Sequence, residues 1–255
     1  MVIYVETNDE RMKCAAKALE GCGYEVKSHS GAADEPITLV VSPAKPPEKL
    51  FELIETLKSG STLIGGQSRA DVSERAAEHG IRYINAVTDE AFAVKNAVAT
   101  AEGALSLIIK NTKKVMAETV IAVTGFGRIG RLLAQMLHQL GARVHIFARN
   151  PVDIAYAYKY RTRSYSELET AIGGFDAVIN TVPSRVIDNA VLDKAAPELF
   201  LLELASSPYG FDAEYAAGRG INVLRAPGLP THYAPESAGR YLAESVKTKL
   251  EVENA

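Results

Sequence analysis

The chain has no tryptophan, only two cysteines, 7% aromatic residues and a net charge of −3 over 255 residues. Each shortage removes a class of function. Cys14 and Cys22 stand eight apart in a segment with helical periodicity, which fits neither a C-x-x-C redox pair nor a zinc ligand set. The histidines His29, His79, His138, His145 and His232 form no H-E-x-x-H or related spacing, so no metal site is expected. Near-neutral charge, with both signs interspersed, gives no electrostatic argument for nucleic acid or an anionic membrane. No uninterrupted apolar run approaches the roughly 20 residues of a membrane span, and no charged-then-apolar leader opens the chain. A cytoplasmic protein is expected.

What the chain does have is alternation. "VIYVET" (2–7), "YEVKS", "ITLVVS" (37–42), "STLIGG" (61–66) and "IRYIN" read as short strands, separated by segments of helical period such as "PPEKLFELIETLKS". A long amphipathic segment follows from about Asp89 to Lys110, with Phe92, Val94, Val98, Ala101, Leu105 and Ile108 on its apolar face. Further strands are expected at "VIAV", "RVHIF", "FDAVINTV" (175–182), "LFLLEL" (199–204) and "INVL" (221–224), and a last helix from Pro235. Strand–helix alternation calls for parallel sheets covered by helices. The expected class is α/β with two open parallel-sheet domains: 1–88, a connecting helix over 89–111, and 112–234, with 235–255 packing back on the first domain.

The second half carries the one motif with a mechanism. "GFGRIG" places Gly125, Gly127 and Gly130 in G-x-G-x-x-G spacing after an apolar strand, and opens a helix with Leu132, Leu133, Met136 and Leu137 on one face. In that context the glycines permit a tight turn, the approach of a pyrophosphate, and close helix–strand packing. A Rossmann dinucleotide-binding domain is therefore expected, with Phe126, Arg128 and Ile129 inside the binding loop. At the end of the next strand an NAD-binding chain usually carries Asp or Glu for the ribose 2′-hydroxyl. Here "VHIFARNP" presents Arg149 and Asn150. A guanidinium pairs with a 2′-phosphate and a carboxylate repels it, so NADP is the expected cofactor; the alternative is an arginine simply solvated at a strand end.

Ligands of open α/β sheets lie outside the carboxyl ends of the strands. Three more turns meet that condition: "NTVPS", with Thr181, Val182 and Pro183; "LASSPYG", with Ala205 and Ser206; and "APGLPTHYAPESAG", with Pro227, Gly228 and Leu229. In the last, Pro227-Gly228 suits the centre of a type II turn, and Pro230 is expected to hold an extended segment. The whole stretch is expected to wall the cofactor side of a cleft. His232 is its one group able to exchange protons near neutrality, although a loop histidine is more often a surface residue.

On these residues the chain resembles the family of the A-type subunit of dipicolinate synthase. The blocks that carry the likeness are "ATAEGALSLIIKNT" (99–112), "VIAVTGFGRIGRLLAQMLHQLGARVHIFAR" (120–149), "INTVPS" (179–184), "LELASSPYGFD" (202–212) and "LRAPGLPTHYAPESAG" (224–239). The first ninety residues hold no such block. The resemblance implies an NADP-dependent oxidoreductase of sporulation that oxidises a dihydrodipicolinate-type ring to dipicolinate, in an oligomer, with the flavoprotein B-type subunit of the synthase as partner. A dicarboxylate substrate needs hydroxyl, N–H or cationic partners, for which Ser42, Ser68, Thr100 and Gly103 are the candidates. Glu102 and His232 are the candidate proton acceptors. The rival readings are a shikimate- or hydroxy-acid-dehydrogenase-like reductase of another small carboxylate, and a non-catalytic NADP(H)-binding regulatory subunit.

Overall fold

The computed structural model describes residues 1–29, 31, 34–66 and 70–253. The chain divides into two units, Met1–Ala99 with Pro230–Ala255 (unit 1) and Thr100–Leu229 (unit 2).

Unit 1 begins with β1 (Val2–Val5), α1 (Glu10–Gly21), β2 (Glu25–Ser28), β3 (Thr38–Val40), α2 (Pro47–Thr56), β4 (Thr62–Gly65), α3 (Ala70–Glu78) and β5 (Arg82–Asn85). The strands pair in parallel in the order β2-β1-β3-β4-β5. The chain runs outward from β1 to β2 and then returns to the other side of β1, so the order reverses between β1 and β3. Period-two alternation builds both layers: Val40 and Ile64 join Met12, Ala15 and Leu19 of α1 in one core, while Leu39 and Leu63 join Leu50 and Ile54 of α2 in the other. Asp9 caps α1, its side chain accepting from Met12 N at 2.8 Å, a cap worth ~1 kcal/mol.

The long helix α4 (Glu90–Asn111) comes next. The division between the units falls at Ala99 and Thr100, inside the segment expected to be a plain connector. By length and composition α4 could cross a membrane, although charges interrupt its apolar run. Its Ala101, Ala104 and Ile108 lie in the core of unit 2.

Unit 2 continues with β6 (Val120–Thr124), α5 (Arg128–Gln139), β7 (Arg143–Phe147), α6 (Pro151–Tyr156), β8 (Arg161–Arg163), α7 (Leu168–Ala171), β9 (Ala177–Asn180), α8 (Asn189–Asp193), β10 (Phe200–Glu203), α9 (Ala213–Gly218) and β11 (Asn222–Arg225). All its strand pairs are parallel, in the order β11-β10-β9-β6-β7-β8. Read from β8, this is the doubly wound dinucleotide-binding order, reversing between β6 and β9. Ile121, Val123, Ile146 and Ile179 pack with Leu133 and Leu137 of α5 on one face; Ala122, Val178 and Leu201 pack with Leu168, Ile172 and Leu192 on the other. Strand β8, with the sequence "RTR", was not expected.

After β11 come α10 (Leu229–Tyr233) and α11 (Pro235–Glu253). Gly228 has φ +70°, as the expected turn requires. Pro230 is not extended: it sits at the second position of α10, where its missing N–H breaks no helical bond. In unit 1, α11 adds Leu242, Ala243, Val246 and Leu250 to the core built by β1 and α1, and Ser245 Oγ donates to Ala86 O at 2.9 Å.

Candidate functional site

The fingerprint turn joins β6 to α5 at the point where the sheet order of unit 2 reverses. Gly125 has φ +89°, and its N–H donates to Phe147 O at 2.8 Å, locking the turn to β7. A Cβ at Gly125 would stand 2.5 Å from Thr181 Oγ1 and 2.7 Å from Val182 Cγ2, and one at Gly130 would overlap the Gly125 carbonyl oxygen. At Gly127, by contrast, a Cβ would meet nothing within 4 Å. Gly127 is also the N-cap of α5, so no side chain caps that helix. The helical bonds start from Arg131 N to Gly127 O at 2.9 Å, which turns the N–H groups ahead of it to an outside acceptor. Open space at Gly127 and the positive end of the helix dipole together suit a pyrophosphate.

At the carboxyl end of β7, Arg149 is exposed and makes no ion pair among the described residues. Asn150 caps α6, its side-chain oxygen accepting from Val152 N at 2.9 Å. The acid that follows, Asp153, is held by Arg131 Nη2 at 2.7 Å, and Arg131 also donates through Nε to Phe126 O at 2.8 Å. Strand β8 brings a second cation: Arg163 pairs in the ladder with Phe147, the last residue of β7 and two residues before Arg149. Nearby, burial raises the Tyr165 hydroxyl above the usual phenol range and the charge of Arg149 opposes the rise. The edge thus carries two cations, and the Asp153 carboxylate beside it is neutralised by Arg131.

Behind the turns lies a buried polar network. Glu203, the last residue of β10, is 2% exposed. Its Oε1 accepts from Asn180 Nδ2 at 2.6 Å and Ala205 N at 2.9 Å, and its Oε2 from Gly210 N at 2.7 Å. Asn180 Nδ2 also donates to Val182 O at 2.9 Å, and its Oδ1 accepts from Thr124 Oγ1 at 2.7 Å. Burial lifts the Glu203 carboxyl above the usual carboxylate range, while its donors and Arg225 pull it back. One carboxylate and one amide thereby tie the ends of β6, β9 and β10 into a single platform.

The expected residues sort by what their atoms already do. The Thr181 hydroxyl donates to Thr124 O at 2.8 Å and packs where a Gly125 side chain would go. The Phe126 ring is buried edge-on against Tyr160, and the Leu229 side chain lies in the core of unit 2. The Ala205 N–H is engaged by Glu203. Arg128, Pro183, Ser206, Pro227 and Gly228 are exposed, and Ile129 and Val182 are half-buried. Of the substrate candidates, Ser42 is buried in unit 1, whereas Thr100 and Gly103 lie on α4 within unit 2. Neither unit therefore holds the whole set. Ser68 lies outside the described residues. Glu102 and His232 are exposed.

Sequence reasoning missed Arg163, Glu203 and Arg11. Arg11 had a visible signal: it stands four and eight residues before Ala15 and Leu19, on the buried stripe of α1. Glu203 closes an otherwise apolar strand that is buried on both faces.

Residues 94–207 match the family model "D-isomer specific 2-hydroxyacid dehydrogenase, NAD binding domain". In sequence, the chain is 34% identical over 190 residues to the A-type subunit of dipicolinate synthase from Bacillus subtilis. That alignment covers 74% of this chain and 64% of the relative, slightly less than two thirds of its length. In structure, the corresponding subunit from Bacillus halodurans superposes with a TM-score of 0.84 at 25% identity, over 98% of this chain and 96% of that one. The Bacillus subtilis structure gives 0.82 at 26%, over 99% and 96%. The structural likeness thus extends through the first ninety residues, where no block carried the resemblance. By sequence and by fold the chain is similar to the A-type subunit of dipicolinate synthase, and its second unit, with the doubly wound fold, is similar over residues 94–207 to the NAD-binding domain of the D-isomer specific 2-hydroxyacid dehydrogenases.

Proposed function

We propose that the protein is an NADP-dependent oxidoreductase that oxidises a dihydrodipicolinate-type ring to pyridine-2,6-dicarboxylate. The observation that carries the reading is the fingerprint turn, with its uncapped helix start at the β6/β9 reversal and Arg149 in place of an acid at the end of β7. When bound, the dinucleotide would take a hydride from the dihydro ring, which becomes aromatic on losing one proton as well. The chain's own part is to bind and orient. The N–H groups at the start of α5 hold the pyrophosphate, and Arg149, with Arg163 and Arg128 beside the same edge, meets the 2′-phosphate. The Glu203–Asn180 network fixes the turns carrying Val182, Pro183 and Ser206, which then border the nicotinamide. Pro227 and Gly228 belong to the same edge.

The likeness to a protein named as one subunit of a synthase supports a multisubunit enzyme. In this reading a flavoprotein, the B-type subunit, is the partner, the assembly is oligomeric and cytoplasmic, and it serves sporulation. Proton loss falls to Glu102 or His232. A second reading, a reductase of another small hydroxy or keto acid, is favoured by the match of residues 94–207 to the 2-hydroxyacid dehydrogenase domain. The two separate in one assay. Mixing the protein with NADP⁺ and a dihydrodipicolinate-forming substrate, with and without the partner, should give the absorbance of the pyridine product together with NADPH. Turnover of a 2-hydroxy acid with no pyridine product would select the second reading.

Arg149→Asp should weaken NADPH binding about 10- to 100-fold, the range of charged hydrogen bonds, and leave NADH within a few-fold of its original affinity. Titration followed by the fluorescence of the reduced nicotinamide measures both. Equal losses for the two dinucleotides would remove Arg149 from 2′-phosphate recognition.

A further inference from the structure

A buried arginine without an acid is uncommon, because an uncompensated charge in the interior is costly. Arg11, the second residue of α1, is only 4% exposed. Its Nη2 donates to Ser42 Oγ at 2.9 Å, and its Nε is buried with no hydrogen-bond partner. Among the described residues no carboxylate forms an ion pair with it. Asp9, which shares its helix start, is engaged by Met12 N at 2.8 Å, and Glu6 is paired with Lys45 at 2.7 Å. Burial accordingly lowers the guanidinium pKa, and the charge of Asp9 only opposes that fall. The placement of the pair is equally telling. Arg11 follows β1 and Ser42 follows β3, the two strands between which the order of the unit 1 sheet reverses. The carboxyl edge at such a reversal is where open α/β sheets take their ligands.

We infer that Arg11 and Ser42 form a carboxylate-binding site at the β1/β3 reversal of unit 1. The Nε–H and the second hydrogen of Nη2 form a fork that matches a planar carboxylate, and the Ser42 hydroxyl, held as acceptor by Arg11, turns its own hydrogen toward the same anion. The inference rests on the reading of the protein as a dicarboxylate oxidoreductase and names the group in unit 1 that recognises the substrate.

The test is calorimetric titration of the full-length protein and its variants with pyridine-2,6-dicarboxylate and, separately, inorganic phosphate, alongside thermal unfolding and an NADPH titration. Arg11→Met should weaken dicarboxylate binding about 10- to 100-fold while leaving thermal stability equal or higher, since it removes a buried, unpaired charge. Ser42→Ala should weaken binding about 2- to 10-fold, and it keeps the test open if Arg11→Met does not fold. NADPH affinity should not change in either variant. A purely structural arginine predicts the reverse for Arg11→Met: a lower unfolding temperature with dicarboxylate affinity intact. That result, phosphate binding in place of the dicarboxylate, or no dicarboxylate binding by the unaltered protein would overturn the inference. Loss of NADPH binding by the unaltered protein would instead overturn the proposed function.

Discussion

Replacing Glu203 by alanine is expected to destabilise unit 2 by about 3–5 kcal/mol, the range for breaking a buried charged network from one side. The substitution leaves Asn180 Nδ2, Ala205 N and Gly210 N without their acceptor, in a site too buried for water to replace it freely. Glu203→Gln is the informative comparison. Its oxygen can keep the two bonds now made by Oε1, but its NH₂ would face the Gly210 N–H in place of Oε2. A cost of about 1–2 kcal/mol is expected, one donor left unmatched rather than three. Denaturant unfolding of the two variants measures both costs. Equal small losses would mean that the three strand ends are held by packing and not by this carboxylate.

The second large effect concerns the fingerprint. In Gly130→Val the new side chain starts from a Cβ that already overlaps the Gly125 carbonyl oxygen, so α5 must move off β6. The overlap is with backbone, so turning a side chain cannot relieve it. The expected results are about 3 kcal/mol or more of lost stability, and dinucleotide binding weakened by at least about 100-fold, because the N–H groups that face the pyrophosphate move with the helix. Gly127→Ala separates the fold from the ligand. Nothing lies within 4 Å of its Cβ, so unfolding should be unchanged. The methyl group does enter the space assigned to the pyrophosphate, and affinity should fall about tenfold. If Gly127→Ala binds NADPH normally, the pyrophosphate does not lie against this turn.

How far the sequence could be read depended on the kind of signal each residue carries. The α/β class and the fingerprint turn were legible because apolar periodicity and glycine spacing are local. Strand β8 was not: "RTR" is three residues long, sits at the sheet edge, and has no apolar alternation to mark it. The cation that it places next to the strand leading to Arg149 was lost with it. Pro230 was misread because a proline after a Pro-Gly turn suits an extended segment and a first helical turn equally well; only the bonds of α10 decide. Arg11 and Glu203 were passed over for a common reason. A charged residue in a sequence is by default a surface residue, and only tertiary packing shows that α1 turns Arg11 inward and that β10 is covered on both faces. Ser42 was legible from its place at a strand end, but the arginine that gives it a role was not.

The central claim, that unit 2 is built to hold a phosphorylated dinucleotide, is tested most directly by titrating the unaltered protein with NADPH and NADH under identical salt. The predicted result is saturable binding of both, with NADPH at least about tenfold tighter and its advantage shrinking as ionic strength rises, as expected for a 2′-phosphate held by exposed cations. Tighter binding of NADH, or no binding of either, would contradict it.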